Sequence, residues 1–427
     1  PLPGGFIASQ PQTGLAPIID GGVVIGHARA AARLGLGGVI TPEQSPLEPR
    51  SLARRARARV GSEIRVRRAD ARSVLIVLPW MTVGGADFFI RDLARDLGAL
   101  GMESHVVLTY PGAESPPDNR SALRPMVRSL TCAPDDHPGE HLADVVNRIG
   151  REHRVGTMLV CGGWQIYEAL PGLRSALPGT RVVDILFNDF GHIENNRRYS
   201  PWIDVTVCAF PGLQDLLVRS HGEDPERTRT IFIGIDTSRF SPASAALRAE
   251  IRSQMGLDPK RPVWGYAGRI STEKCLPNFI HALEALGDAV PAQVVIQGDG
   301  PADADLADAI AATGVEVVRR GFQPDQLPAL QAMDAYVLPS RVEGIPLAIM
   351  EAAACGAVPV ASAVGGVPDL VLPGFSGYLA APDNPGALAA ALLALAGTPD
   401  WLASEMAANA RAIVRRRMTW TQTVRAY

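Results

Sequence analysis

Residues 339–356 read PSRVEGIPLAIMEAAACG, an almost wholly apolar stretch that contains two acids, Glu343 and Glu351. It continues a run, AYVLPS, that is typical of a buried strand. Pro346 suits the first turn of a helix that Gly356 can end. The stretch therefore predicts a strand, a loop that holds Glu343 and a helix that holds Glu351.

Two carboxylates in so apolar a stretch need partners, because a buried charge without one is costly. Carboxylates that accept hydrogen bonds from hydroxyl groups are one way in which a site can hold a sugar or a ribose. The alternative is a structural pair, with Glu343 capping the helix and Glu351 paired with an arginine. Backbone donors to a diphosphate or a sugar oxygen are expected around Gly344, Ile345, Pro346 (which itself has no N–H) and Leu347.

Similar apolar runs recur along the chain and alternate with helical segments. The first set of predicted strands lies at 73–79, 104–110, 157–163, 181–189, 204–210 and 229–236. The second set lies at 263–268, 292–300, 315–322, 335–340 and 357–362. Alternating strands and helices predict an α/β protein with two doubly wound parallel sheets.

The two sets of strands divide near residue 241 and give the predicted domains. We expect an N-terminal extension or linker at 1–70, a first Rossmann-like domain at 71–240, a second at 241–408 and a C-terminal helix at 409–427. Basic residues gather around position 60. We interpret them as a solvated helix or linker, with a phosphate- or membrane-surface patch as the alternative.

Composition restricts the classes of function. A chain of 427 residues is too long for one hydrophobic core, and a net charge of -3 gives no basic field for nucleic acid. The five cysteines are scattered, which predicts reduced thiols in a cytoplasmic protein rather than a disulfide framework or a metal cluster. No apolar run reaches the ~18 residues of a membrane-spanning helix, and the N-terminus lacks a signal-peptide pattern.

Two cations follow the first strand of the second domain, in the sequence GRISTEK at 268–274. Arg269 and Lys274 could converge on one anion, since arginine offers a planar fork and lysine a compact charge. The alternative is two surface cations, one of them paired with Glu273.

In the first domain, Gly84 and Gly85 lie between a strand and a helix, where backbone N–H groups could approach a phosphate. The G-x-G-x-x-G pattern of a dinucleotide site is absent there, which argues against a dehydrogenase.

Taken in order, these motifs resemble the retaining glycosyltransferases of the large family that includes bacterial mannosyltransferases and sucrose synthase. The resemblance covers residues 73–427 and includes GRISTEK, GDG, RRGF, PSRVEGIPLAIMEAAACG and the closing MTWTQTVRAY. It implies the GT-B fold, in which two Rossmann-like domains face a central cleft. The first domain would bind the acceptor and the second the nucleotide-sugar donor, with the last helix returning toward the first domain.

The resemblance also implies roles for single residues. Glu343 would contact the hydroxyls of the donor sugar near its reacting carbon, and Glu351 the hydroxyls of the ribose. Arg269 and Lys274 would bind the donor diphosphate and neutralise the leaving group. The remaining donor-binding positions would be Gly84, Gly85, Gly268, Gly344, Ile345, Pro346, Leu347 and Phe322.

One departure from the family concerns a histidine that often follows a strand of the first domain. Here Asn188 and Asp189 occupy that place, and His192 comes four residues after it. Either His192 reaches the site from a longer loop, or the Asn–Asp pair contacts the sugar instead. Since both alternatives stay open, we predict His192 and Asp189 as candidate residues of the catalytic site.

The activity implied is transfer of a sugar from a nucleotide-diphosphate donor to an acceptor hydroxyl, with retention, in polysaccharide or glycoconjugate synthesis. No cofactor and no metal are expected, and the donor would be UDP- or GDP-linked. The acceptor would be a glycan or lipid-linked molecule. Peripheral association with the inner face of the membrane and attachment to other domains of a larger polypeptide stay open. So do a sugar-nucleotide epimerase and a non-catalytic module that binds a glycan or a partner.

Overall fold

The computed structural model describes most of the chain. The described residues are 17–20, 23–27, 70–81, 84–111, 119–289 and 292–427. The basic run near residue 60 lies outside them, as does most of the predicted extension at 1–70. Within that extension only two strands are described, β1 (Pro17–Asp20) and β2 (Val23–His27).

One sheet is wholly parallel and has seven strands. These are β3 (Asp70–Leu78), β4 (Glu103–Leu108), β5 (Ser129–Cys132), β6 (Val155–Val160), β7 (Arg181–Leu186), β8 (Val205–Cys208) and β9 (Thr228–Thr230). Their order is β5-β4-β3-β6-β7-β8-β9. The order reverses at β3, and in doubly wound sheets ligands bind beyond the carboxyl ends of the strands at such a point.

The second sheet has a parallel core of six strands. These are β10 (Val263–Ala267), β11 (Gln293–Gln297), β12 (Val318–Arg320), β13 (Ala335–Leu338), β14 (Val358–Ser362) and β15 (Tyr378–Ala380). The order is β15-β14-β13-β10-β11-β12, and β2 and β1 extend it beyond β15 with antiparallel pairings. The order reverses between β13 and β10, so the sequence GRISTEK after β10 and the Glu343 loop after β13 follow neighbouring strands.

Helices connect the strands of both sheets. With the seven-stranded sheet lie α1 (Gly85–Ala99), α2 (Arg120–Leu123), α3 (Ala133–Asp136), α4 (Leu142–Glu152), α5 (Trp164–Ala176), α6 (Ile193–Tyr199) and α7 (Pro211–Asp215). Farther along the chain lie α8 (Ala245–Gln254), α9 (Leu276–Leu286), α10 (Asp303–Thr313), α11 (Leu327–Ala332), α12 (Leu347–Ala354), α13 (Val367–Leu370), α14 (Pro385–Ala396), α15 (Asp400–Arg417) and α16 (Trp420–Ala426).

Short helical turns complete the connections. They are the 3-10 turns Arg124–Met126, Ser200–Trp202, Thr272–Lys274 and Gly287–Ala289, and one π-helical turn, Leu216–Ser220.

The chain divides into two compact units. Unit 1 contains β1, β2 and the described residues of 210–213 and 232–427; unit 2 contains the described residues of 70–209 and 214–231. In unit 2 the parallel strands pack against α4 and α5 around a core that includes the fully buried Tyr167. In unit 1 the rings of Tyr266 and Tyr336 stack at 5.9 Å beneath the strand ends. Each unit therefore has its own hydrophobic core.

The sequence pattern predicted most strands correctly. Every predicted run overlaps an observed strand, although 229–236 overlaps β9 only at residues 229 and 230. Most of these strands are buried or partly buried, as expected for parallel sheets covered by helices. The pattern missed β5 and β15, because SLTC and YLA are short and only partly apolar. Helix α12 begins at Leu347 with Pro346 as its N-cap, and Gly356 follows its end with φ +93, which confirms the predicted boundaries.

The C-terminal helix is tied to an earlier segment of unit 1. Ile235 N–H donates to the Met418 carbonyl at 3.0 Å, and Trp420 N–H donates to the Ile235 carbonyl at 2.8 Å. The Thr423 hydroxyl donates to the Phe232 carbonyl at 2.8 Å. Thr419 and Gln422 cap the start of α16 reciprocally. The last residues of the chain therefore complete the structure of residues 232–235.

Among the described helices, none is by itself long and apolar enough to cross a membrane, although by length and composition the bent pair α14 and α15 passes the same test together.

Candidate functional site

Glu343 lies in the loop between β13 and α12, as predicted, and only 7% of it is exposed. One carboxylate oxygen, Oε1, accepts hydrogen bonds from Lys274 Nζ at 2.7 Å and from the Ser340 hydroxyl at 2.6 Å. The other oxygen, Oε2, has no hydrogen-bond partner among the described residues. The side chain is therefore fixed through one oxygen, while the other is available to a ligand hydroxyl.

A glycine pair holds the backbone around Glu343. Gly366 N–H donates to the Gly344 carbonyl at 2.7 Å. Gly365 has φ +50, and a Cβ added to it would overlap the Glu343 carbonyl oxygen. Only glycine fits there, because it alone lacks a Cβ and tolerates positive φ without strain. The Glu343 loop therefore depends on Gly365 for its position.

The backbone of this loop leaves donors available before α12. The N–H groups of Gly344, Ile345 and Leu347 have no hydrogen-bond partner among the described residues. Pro346 is the N-cap and supplies no donor of its own. The first turn of α12 thus has the free N–H groups that an anion or a sugar oxygen can accept.

The two predicted cations pair with different carboxylates. Arg269 donates to Glu273 Oε1 at 2.8 Å, as the alternative interpretation predicted, and the Ser271 hydroxyl donates to the same oxygen at 2.6 Å. Lys274 instead pairs with Glu343. The Arg269 side chain is 61% exposed, whereas that of Lys274 is 21% exposed. Arg269 can therefore change partner at much lower desolvation cost than Lys274.

Glu351 lies on α12, and burial raises its pKa to about 7, with the charge of Arg239 opposing that shift. Its carboxyl group has no hydrogen-bond or ion-pair partner among the described residues. Arg239 is itself paired with Asp325 at 2.8 Å. The alternative interpretation, a buried acid in an arginine ion pair, is therefore not what the structure shows.

The other donor positions of unit 1 lie at neighbouring strand ends. Gly268 follows β10 with φ +158, and a Cβ on it would lie 2.8 Å from the Tyr266 hydroxyl, which donates to the Arg269 carbonyl. Phe322 follows β12 with its side chain 65% exposed, and its N–H donates to Asp299 at 2.8 Å. An exposed aromatic ring at this edge could stack on a base.

In unit 2, Gly84 is the N-cap of α1 and Gly85 is its first residue. As a glycine, the N-cap has no side chain with which to cap the helix, and an acid, Asp87, lies in the first turn. Residues 82 and 83 are outside the described part of the chain, so the glycine loop is described only from Gly84 onward.

His192 and Asp189 follow β7 in unit 2. The His192 ring stacks on Tyr167 with centroids 5.9 Å apart, and its Nδ1 is buried without a hydrogen-bond partner among the described residues. Burial lowers the pKa of His192 and raises that of Asp189. Burial therefore favours the uncharged form of both groups.

A buried carboxyl group, Asp184, is linked to His192 through hydrogen bonds of Asn196. The Tyr167 hydroxyl donates to Asp184 Oδ1 at 2.8 Å, and Asn196 Nδ2 donates to Oδ2 at 2.7 Å. Asn196 N–H in turn donates to the His192 carbonyl at 2.8 Å. Burial raises the pKa of Asp184 to about 7. The sequence analysis missed this network; its signal is a single acid inside the apolar strand RVVDIL.

Two residues with structural roles at the site were also not predicted. Ser340 fixes the Glu343 carboxylate, and Gly365 fixes the loop of Glu343. Within the described residues, no group of three or more histidine, cysteine or acidic side chains is placed to hold a metal ion. All five cysteines are buried free thiols.

The sequence matches a known family over part of its length. The family described as "Glycosyl transferases group 1" matches residues 261–398, which include β10 to β15. A D-inositol 3-phosphate glycosyltransferase 2 of Catenulispora acidiphila is 33% identical over 360 residues, which cover 75% of this chain and 83% of that protein.

Other relatives match over shorter segments. An alpha-maltose-1-phosphate synthase of Mycolicibacterium smegmatis is 29% identical over 41% of this chain, and a D-inositol 3-phosphate glycosyltransferase of Streptomyces bingchenggensis is 35% identical over 44%. The matches cover 48% and 44% of those two proteins, so the chain spans just under half their length.

Solved structures share the fold. Anabaena HepE in complex with UDP superimposes with a TM-score of 0.70 at 21% identity, over 83% of this chain and 98% of that one. Sucrose-phosphate synthase from Thermosynechococcus elongatus gives 0.67 at 18% identity, over 83% and 97%. These similarities, together with the two doubly wound sheets, confirm the predicted GT-B fold. With a relative 33% identical that it covers over 83%, the chain belongs to the group 1 family of glycosyltransferases.

Proposed function

We propose that this protein transfers a sugar from a nucleoside-diphosphate donor to an acceptor hydroxyl, with retention of the anomeric configuration. The observation that carries the proposal is the Glu343 carboxylate, held through Oε1 by Lys274 and Ser340 with Oε2 left for a ligand. A carboxylate fixed in this way, in a nearly dry loop, accepts a hydrogen bond from a sugar hydroxyl with little reorganisation. Glu343 would thus position the donor sugar rather than attack it.

The leaving group would be stabilised by Lys274, Arg269 and the backbone before α12. The Lys274 ammonium has three N–H donors and uses one on Glu343, so it can hold that acid and a phosphate oxygen together. Arg269 is exposed enough to turn from Glu273 to the diphosphate. Positive charge placed where the departing diphosphate gains negative charge lowers the barrier to transfer.

The nucleotide would be held by Glu351, whose carboxyl group has no partner among the described residues. An ionised carboxylate can accept hydrogen bonds from both hydroxyls of a ribose. The related structure of HepE contains UDP and, in another complex, UDP-glucose. We therefore choose UDP-linked sugars as the first donors to test, with GDP-linked sugars as the second.

For retention, we propose that the leaving phosphate accepts the proton of the acceptor hydroxyl on the face from which it departs. His192 or Asp189 would contact the donor sugar. Burial lowers the pKa of His192 and raises that of Asp189, and in its uncharged form each group can both donate a hydrogen bond to a sugar hydroxyl and accept one from it.

Two substitutions separate these roles. Glu343→Gln should lower turnover by at least ~100-fold with less than about a threefold change in UDP affinity, because the acid acts on the sugar. Glu351→Gln should weaken nucleotide binding first. Turnover is measured as slow hydrolysis or methanolysis of UDP-glucose, and NMR gives the anomeric configuration of the methyl glucoside. Retention predicts the α-glucoside. Inversion would contradict the mechanism, and the absence of both UDP and GDP binding would leave a non-catalytic module.

We also propose that the enzyme works in the cytoplasm, in polysaccharide or glycoconjugate synthesis, with a glycan or lipid-linked acceptor, and needs no divalent metal. EDTA should leave the hydrolysis rate of a purified sample unchanged. A loss of activity that Mg²⁺ or Mn²⁺ restores would show that a metal takes part.

A further inference from the structure

Beyond the donor residues, unit 2 contains buried polar atoms at the carboxyl ends of its central strands. Thr109 follows β4, and Gln165 lies in the first turn of α5, after β6. Thr109 Oγ1 and Gln165 Oε1 are both buried and lack hydrogen-bond partners among the described residues. Buried polar atoms are normally paired, so two unpaired atoms at a strand edge suggest that a ligand supplies the partners.

Two glycines bring these atoms together. Gly162 and Gly163 have φ +92 and +88, conformations that favour glycine. A Cβ on Gly163 would lie 3.2 Å from Thr109 Oγ1 and 3.8 Å from Gln165 Oε1, and a Cβ on Gly162 would lie 2.9 Å from His192 Nε2. Thr109, Gln165 and His192 therefore lie around the backbone of Gly162 and Gly163. Because these two residues have no side chains, a ligand can approach their backbone closely.

Half-exposed aromatic side chains border this cluster. Trp80 follows β3 and Trp164 begins α5 directly after Gly163, and each is 50% exposed. Trp80 also packs against Tyr110, with ring centroids 5.1 Å apart. An indole face suits the C–H face of a sugar ring, while the hydroxyls of the sugar can reach the polar atoms beside it.

The chemistry of the cluster favours an uncharged ligand. Gln165 Oε1 is an acceptor and needs a donor, which a sugar hydroxyl provides and a phosphate dianion does not. Burial lowers the pKa of His192, so the imidazole is uncharged near neutral pH. Side chains that bind a phosphate would instead present an arginine fork or a lysine ammonium.

We propose that Thr109, Gln165 and Trp164, beside His192, form the binding site of the acceptor, and that the acceptor presents an uncharged sugar ring there rather than a phosphorylated polyol. This inference rests on the proposed function, since it names the molecule that receives the transferred sugar. It also separates this protein from its relatives, because several of those are D-inositol 3-phosphate glycosyltransferases.

Matched ligands test the charge preference. The full chain, saturated with UDP, is mixed with methyl α-glucoside, methyl α-mannoside and methyl α-galactoside, and separately with the 6-phosphates of the same three sugars. Saturation-transfer NMR should show that at least one neutral glycoside binds, with the strongest transfer to its ring C–H protons. The phosphates should bind about 10-fold more weakly. Tighter binding of the phosphates, or no binding of any neutral glycoside, would overturn the proposal.

Variants test the residues. Gln165→Leu and Thr109→Val should each weaken the glycoside about 10-fold, and Trp164→Ala should weaken it at least as much. Trp401→Ala is the matched control, because Trp401 is 68% exposed on α15. The melting temperature of each variant shows whether it folds. If one variant fails to fold, the other two still decide. Site variants that bind like Trp401→Ala would contradict the assignment.

Donor binding keeps this test separate from that of the proposed function. The unit 2 variants should bind UDP as the unsubstituted protein does. If UDP binds and UDP-glucose is hydrolysed while the neutral glycosides fail to bind, the acceptor assignment alone is wrong. If no nucleotide binds at all, the proposed function is wrong, and the acceptor assignment falls with it.

Discussion

Replacing Glu351 by glutamine should remove a pH dependence from nucleotide-sugar binding. Burial raises the pKa of this carboxyl to about 7, and no described side chain is hydrogen-bonded to it. In the ionised carboxylate both oxygens accept hydrogen bonds, one from each ribose hydroxyl. In the protonated form one oxygen carries a hydrogen atom and acts as a donor. Binding should therefore draw the carboxyl into its ionised form, and the affinity should rise as the pH rises through 7.

The magnitude follows from that pKa. With a pKa of about 7, roughly one tenth of the carboxyl is ionised at pH 6 and roughly nine tenths at pH 8. If only the ionised form binds, the apparent dissociation constant should fall about 10-fold between these pH values, which corresponds to about 1.4 kcal/mol. Glu351→Gln should show a flat profile near the weak affinity of the unsubstituted protein at pH 6.

Titration calorimetry with UDP-glucose at pH 6, 7 and 8 measures this directly. The intact nucleotide sugar is the right ligand, because both of its phosphates are esterified on two sides, whereas the terminal phosphate of free UDP titrates near pH 6. Buffers of different ionisation enthalpy count the proton released. The control is Glu405→Gln, the same change at an exposed position of α15. If Glu351→Gln kept the slope of the unsubstituted protein, the assignment of Glu351 to the ribose would be refuted.

Three further predictions concern stability. Gly365→Ala should lower the unfolding free energy by at least ~3 kcal/mol and disturb donor binding, because its Cβ would overlap the Glu343 carbonyl. Its control, Gly374→Ala, has φ +72 in open space and should cost only about 1 kcal/mol; equal losses in urea melts would contradict the overlap. Lys274→Met leaves buried Glu343 with only Ser340 as its donor and should cost about 3 kcal/mol, whereas exposed Lys260→Met should cost almost nothing. Asp184 should make the protein less stable as the pH rises, because the folded carboxyl keeps its proton until about pH 7 and the unfolded one ionises near 3.8. Its stabilising contribution is complete below pH ~4 and is lost by pH ~7, by at most about 4 kcal/mol. Asp184→Asn should flatten that part of the curve, and an unchanged curve would show that Asp184 is not the group responsible.

Periodicity was sufficient to predict the sheets. Runs such as VWGYA and VLIVL are apolar without alternation, which occurs where a strand is covered on both faces. The same local signals placed Glu343 outside the helix, since Pro346 and Gly356 mark the ends of α12. Strands β5 and β15 gave weaker signals because their sequences, SLTC and YLA, are short and only partly apolar.

The hydrogen-bond partners of the site side chains could not be predicted from the sequence. Lys274 and Glu343 are 69 positions apart, and only the adjacency of β10 and β13 brings them together. Gly365 reads as part of an ordinary turn until its contact with the Glu343 backbone is known. Thr109 and Gln165 are equally ordinary residues, and their significance comes from being buried without partners. Such pairings depend on strand order, which no local pattern encodes.

The tie between α16 and residues 232–235 has a consequence for the order in which the chain acquires its structure. The ribosome makes the segment Phe232–Ile235 almost two hundred residues before it makes Thr423. The hydroxyl of Thr423 donates a hydrogen bond to the Phe232 carbonyl of that segment. Unit 2 has no such dependence in its described residues, which end at Ile231. It can therefore fold during synthesis, whereas unit 1 is complete only after α16 has been made. A chain that ended before α16 would leave unit 2 intact and unit 1 without these contacts.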